Sequence, residues 1–218
     1  LFLEELIRAI AEGKGNELPP TILAMLQSRI ARLKGKTRRV LRIASVFGQR
    51  LSRAGLAALL GWQPKSPDLE ACLAELIDAE ILERLLERRT ADDVEFRFRH
   101  TLYRDAAYGL LTAEDKRNAH RRAAQYLESS GHATPMVLIE HYRSAGEPRR
   151  AVPWYLRVAA AAVHVGGLAE ARKHYAELYA LLKTLPPEPA EQRTLVEVLQ
   201  GGAGRRDVED RFAHGRPI

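Results

Sequence analysis

A single cysteine, Cys72, leaves this chain of 218 residues without an internal disulfide. Its expected place is a small core position, and such sparing use fits a reducing compartment. No apolar run approaches the roughly 18–20 residues that a membrane helix needs. The first residues offer neither an initiator methionine nor a basic-then-apolar signal arrangement, so the expectation is a cytoplasmic chain that begins mid-protein. Catalytic signatures are missing as well. No Gly-x-Ser-x-Gly elbow occurs, and the one cysteine is far in sequence from any histidine, so nucleophilic catalysis has no marker. His120, His132, His141, His164 and His174 give neither an i, i+4 pair nor a cysteine-assisted cluster, which points to surface or packing roles rather than metal ligation. Gly35-Lys36-Thr37 imitates the end of a phosphate-binding loop, but Ile30 stands where GxxxxGK[ST] requires its first glycine, and a helix rather than a strand precedes it. Adjacent carboxylates such as Glu4-Glu5 and Asp92-Asp93 are solvated charges rather than a pair on one face.

What is present is helical periodicity. With 46% hydrophobic and 28% charged residues, the chain suits one or two globular units. Leu3, Leu6, Ile7 and Ile10 make one amphipathic stripe. After Pro19-Pro20, a helix-starting pair, Ile22, Met25, Leu26, Ile30 and Leu33 make a second, closed by Lys34-Gly35. Val40, Ile43, Ala44 and Phe47 form a third that ends at Gly48. Ser52 is placed to cap a short fourth helix ending at Gly61, and Asp68 to cap a fifth with Leu69, Cys72, Leu73, Leu76 and Ile77 on one face.

The period then changes. Ile81–Arg89 and Val94–His100 read as two strands around the polar turn Thr90–Asp93. Three helices followed by a hairpin predict a winged helix. Along the second strand, alternation places Phe96, Phe98 and His100 on one face and Glu95, Arg97 and Arg99 on the other. His100 is therefore expected to point inward at the strand's end, either as a satisfied core or capping residue or as a functional group.

From Thr101 the helical period returns through Leu102, Ala106 and Leu110 and, past a polar turn at Thr112–Lys116, through Ala119, Ala123, Tyr126 and Leu127. The segments AGEPRRAVPWY (145–155) and GGLAEARKHYA (166–176) align at a spacing of twenty, Ala151 over Ala171 and Tyr155 over Tyr175, which predicts stacked helices related to tetratricopeptide repeats. Pro186–Pro189 ends the packed region, and the glycine-bearing tail after Leu199 reads as a frayed end.

The net charge of +6 would suit an anionic partner, so its distribution matters. In DNA-binding winged helices the helix before the wing enters the major groove. Here that helix, 68–80, carries Asp68, Glu70, Glu75, Asp78 and Glu80 outward and neither Lys nor Arg, a face that would repel a duplex. Basic residues gather instead at 29–42, 84–99, 116–122 and 143–157, a spread suited to protein contact or solubility.

LFLEELIRAI, LPPTILAMLQSRIARL, RRVLRIASVFGQR, FRFRHTLYRDAAY, HRRAAQYLE and EHYRSAGEPRRAVPWYLRVA, in that order, resemble the region after the nucleotide-binding core of bacterial STAND-type signalling ATPases. The resemblance spans about residues 1–185 and is strongest in FRHTLYRDAAY. In that group an AAA-like core, often joined to cyclase, kinase or transcription-regulator domains, is followed by a helical lid, a winged helix and a repeat sensor. The resemblance thus implies a mainly α chain: a lid remnant (1–34), a winged-helix domain with a small β-hairpin (35–112), a tetratricopeptide-like helical region (113–185) and a flexible tail (186–218). It implies a regulatory segment that couples ligand binding on the repeats to an effector domain. ATP or ADP with Mg would be held by the parent protein, since the phosphate loop and Mg-binding strand are missing from these residues. The implied partners are the ATPase core, the effector domain and a protein or small-molecule ligand on the repeats, with no membrane and no specific DNA. By the same resemblance His100 is the candidate latch on a nucleotide phosphate. The alternative is a stand-alone winged-helix DNA-binding regulator with a helical oligomerisation region.

Overall fold

Residues 20–85, 94–131 and 133–186 are described by the computed structural model of the chain. The first amphipathic stripe, the turn at 90–93, His132 and the tail all lie outside these residues. The described residues are mainly helical, with one small antiparallel sheet.

Helix α1 (Pro20–Arg32) opens on a proline, which has no amide hydrogen to lose at that position. It buries Leu26 and Ile30, with Leu33 just beyond, while Met25 stays exposed. Helix α2 (Gly35–Ala44) buries Val40, Leu41 and Ala44 and tightens into a 3₁₀ turn over Ser45–Phe47. Gly48 ends it at φ 89°, a conformation open to glycine at little cost. The chain then forms β1 (Arg50–Ser52) and enters α3 (Arg53–Leu60). The Ser52 hydroxyl caps α3 by accepting the Gly55 amide at 3.0 Å, and Gly61 closes it in the left-handed conformation, both as the sequence indicates.

Helix α4 (Pro67–Asp78) starts one residue before Asp68. Ser66 is its cap, accepting the Leu69 amide at 3.3 Å, and Pro67 fills the first helical position. Leu69, Cys72, Leu73 and Leu76 are buried as expected, and Ile77 lies at the exposed edge. Among the described residues the hairpin strands are β2 (Leu82–Arg84) and β3 (Glu95–Phe98); residues 86–89 of the first expected strand lie outside them, and the second stops two residues before His100. β3 is the central strand, flanked by β1 and β2, with Leu51 opposite Phe96 and Leu82 opposite Phe98. Those four side chains face one core with Val40, Leu41, Leu56, Leu69, Leu73 and Leu76. Strand β1 was not anticipated, because three residues are too few to show a period.

Helix α5 (Thr101–Gly109) buries Tyr103, Ala106 and Ala107. The next helix, α6 (Ala113–Ser130), begins inside the segment read as a polar turn. The Thr112 hydroxyl accepts the Asp115 amide at 3.1 Å, and Glu114 and Asp115 occupy the first turn, where carboxylates suit the helix dipole. Gly55 lets α3 and α6 meet: a Cβ there would lie 3.0 Å from the Tyr126 ring and 3.1 Å from Phe47.

The chain divides into two compact units between Tyr126 and Leu127, within α6. In the second unit α8 (Pro148–His164) packs against both α7 (Pro135–Ser144) and α9 (Leu168–Thr184). The spacing of twenty is real at the turns. Gly146 and Gly166 both take positive φ, 74° and 78°. The amide after each reaches back to an equivalent carbonyl, Glu147 to Tyr142 and Gly167 to Ala162, both at 2.9 Å. Ala151 and Ala171 are both buried, whereas Tyr155 is buried and Tyr175 only half so.

Candidate functional site

His100 does not point inward. The ladder ends with the pair Phe98–Leu82, Arg99 and His100 bend away, and alternation stops two residues short of the histidine. Phe96 and Phe98 are buried, as the strand pattern requires, but His100 is exposed. It occupies the N-cap of α5 at φ −136°, ψ 136°, and its carbonyl accepts the Tyr103 amide at 3.1 Å. The imidazole makes no capping hydrogen bond, so it caps through the backbone only.

Around it stand an aromatic ring and, beyond that ring, a guanidinium. The His100 and Tyr103 rings lie 6.5 Å apart. The Arg29 guanidinium of α1 sits over the buried Tyr103 ring, 5.6 Å from its centroid, a cation–π contact that ties α1 to α5. The first turn of α5 contains no carboxylate, leaving the positive end of its dipole uncompensated there. Arg99, one residue before His100, is instead neutralised by Glu80 at 2.9 Å and lies 3.9 Å from Glu83. An exposed imidazole, a guanidinium and a bare helix start can together receive an anionic group.

The Gly35-Lys36-Thr37 segment has a structural occupation. Lys36 pairs with Asp68 at 2.9 Å. Thr37 is buried and donates its hydroxyl to Glu75 at 2.7 Å, while the Lys34 amide donates to the other oxygen of that carboxylate at 3.0 Å. These bonds, the Thr37 hydroxyl first and the Lys34 amide second, hold the Glu75 carboxyl below its ordinary pKa. The acidic face of α4 is therefore not simply solvated. Asp68, Glu70 and Glu75 hold α2 and α3, with Glu70 taking Arg53 at 2.8 Å.

Of the other histidines, His164 is exposed and His120, His141 and His174 are buried. His120 Nε2 and the Tyr108 hydroxyl share a hydrogen bond of 2.9 Å. Burial pushes the His120 pKa from 6.5 down to about 4, with Arg104 and Lys116 adding to the effect. Those two cations also lie over the Tyr108 ring, 5.1 and 4.5 Å from its centroid. Nothing in the sequence marked this pair, since Tyr108 and His120 sit on different helices. No group of three or more metal-ligating side chains occurs among the described residues. No described helix is long and apolar enough to cross a membrane.

Compared with family models, curated proteins and solved structures, the chain matches none.

Proposed function

We propose that this chain is the regulatory and interaction segment of a multidomain signalling ATPase of the STAND type. Helix α1 is then the end of the lid, and the run from α2 to β3 is a winged helix. The helices from α6 to α9 form a tetratricopeptide-like sensor. In this reading the chain is cytoplasmic and holds no nucleotide alone; ATP or ADP with Mg belongs to the parent's core, and opening of the closed form releases an effector domain. The order helix, strand, helix, helix, strand, strand, with the last strand central, supports the winged-helix assignment.

One observation supports the functional reading: His100 stands exposed at a helix start that its side chain does not cap, one ring away from Arg29. A core histidine would be enclosed, and a capping histidine would bond the helix amides with its side chain. This one does neither, which suits a latch whose partner is a phosphate on another domain. The DNA-binding alternative has less support. Helix α4 carries no Lys or Arg, and its acidic residues are engaged in holding α2 and α3.

Calorimetric titration tests the proposal. Residues 1–218 should give no binding heat with Mg-ATP, because glycine-loop amides and a Mg ligand are needed for a phosphate cradle. The protein extended upstream should bind ADP, and His100→Ala should weaken that binding roughly tenfold, as for loss of one charge-assisted hydrogen bond. Micromolar one-to-one Mg-ATP binding by residues 1–218, or unchanged ADP affinity in the extended His100→Ala variant, would overturn it.

A further inference from the structure

Two hollows border α2 and meet at Arg42. The first, about 420 Å³, lies among α1, α2 and Leu110, with Ile30 and Arg38 in its wall. The second, about 520 Å³, lies among α2, the end of α3 and α6. Its apolar part is Ile43, Leu59, Leu60 and Leu111, and its lining also carries Arg39, Arg42, Arg121 and Arg122. Asp115 is the single carboxylate in either lining.

Arg121 donates to Asn118 at 3.1 Å, but two of the arginines are not consumed by the fold. Arg39 and Arg42 have no carboxylate partner among the described residues, in contrast to Arg53, Arg97 and Arg99 elsewhere in the same unit. Arg38 and Arg122 each spend a hydrogen bond on a backbone carbonyl, that of Ala31 at 3.2 Å and of Leu59 at 2.9 Å. Those bonds fix the guanidinium planes while leaving donors of the five-donor fork unused. The result is a bipartite groove in which leucine and isoleucine side chains lie beside arginines, Asn118 and Gln125.

We propose that this groove docks an acidic peptide segment bearing apolar anchor side chains. Charge complementarity selects the acid, because arginines bind carboxylates in bidentate fashion. The hollows select the anchors, because their apolar side chains gain only from side chains that fill them. Their arrangement on either side of Arg42 selects an elongated occupant over a compact one. Duplex DNA or a polyphosphate would pair with the arginines but leave the apolar side chains of both hollows unfilled. The inference is independent of the signalling-ATPase reading, as it uses neither His100 nor a nucleotide.

The test is fluorescence anisotropy on the full chain. The probe is a fluorescein-labelled peptide of about twelve residues, three helical turns, of glutamates with leucines on one face. Binding should weaken at least about tenfold in the pair Arg39→Glu and Arg42→Glu, and by an intermediate factor in Arg39→Gln with Arg42→Gln. Because neither arginine has a carboxylate partner, circular dichroism of all variants should match the parent. A peptide with serine in place of leucine should bind at least about tenfold more weakly. Failure of the leucine peptide to bind would overturn the proposal, as would equal binding of the serine peptide or affinity unaltered by both arginine pairs. Tighter binding of duplex DNA or tripolyphosphate, lost in the same variants, would replace the peptide with that ligand.

Discussion

Phe98 and His100 are two positions apart and belong to different physical worlds. Phe96 and Phe98 are 4% and 3% exposed, so truncation of either to alanine leaves a cavity between sheet and helices and should cost on the order of 3–5 kcal/mol. His100→Ala removes an exposed ring without a capping bond and should change stability by about 0.5 kcal/mol or less. Urea unfolding of the three variants measures the contrast, and equal destabilisation would return His100 to the core. His120 gives a pH dependence. Its folded pKa, about 4, lies below the ordinary 6.5, so between those values the unfolded chain binds more protons than the folded one. Its contribution to stability is therefore complete above pH 6.5, declines as pH falls toward 4, and is flat below. His120→Gln should flatten that part of the stability-pH curve. Glu75 acts in a lower window: its depressed pKa stabilises above about 4.5 and the benefit goes as pH falls through the folded value, so Glu75→Gln should blunt the loss of stability on acidification from pH 5 to 3.

At the scale of elements, α3 sets two effects against each other at Gly55. Alanine gains about 1 kcal/mol in helix propensity, but its methyl would lie 3.0 Å from Tyr126, 3.1 Å from Phe47 and 3.1 Å from the Ser52 hydroxyl that caps the helix. Overpacking of that kind costs typically about 1–3 kcal/mol, so Gly55→Ala should be net destabilising, with a lowered melting temperature as the readout. A higher one would mean the rings move aside. The helices of this unit were legible because each is long enough to repeat an apolar stripe: Leu69, Cys72, Leu73 and Leu76 are buried as the spacing requires. β1 was not, with three residues, and the end of β3 was misplaced because period two was carried past the last ladder pair at Phe98. The start of α6 is ambiguous in sequence, since Thr112, Glu114 and Asp115 have the chemistry of a turn and of a helix's first turn alike. The inward orientation that strand alternation gives His100 fails because the residue lies past the last ladder pair and is exposed. The arginine groove could not be found, as its lining joins positions 39 and 42 to 121 and 122, far apart along the chain.

At the scale of the whole molecule, the net charge of +6 makes some affinity for any polyanion unavoidable. On the proposed reading the helix that would enter the groove is α4, whose carboxylates hold α2 and α3 and which carries no Lys or Arg to read bases. Duplexes of unrelated sequence should bind equally and weakly, and lose affinity steeply between about 50 and 200 mM salt, as counterion release dictates. A mobility-shift series in salt decides, and tight binding to one sequence that is abolished by changes in α4 would favour a transcription regulator. The paired turns at Gly146 and Gly166 bear on how the molecule can be lengthened. Because three backbone bonds at each turn recur after twenty residues, the segment from 147 to 166 is one helix with its own closing turn, a unit whose two ends are alike. Tandem duplication of that unit would add a helix whose ends already fit their neighbours, whereas an insertion of any other length would strand a glycine in mid-helix. A variant with residues 147–166 duplicated should therefore keep the parent's helicity per residue by circular dichroism, whereas one lengthened there by ten residues should lose part of it.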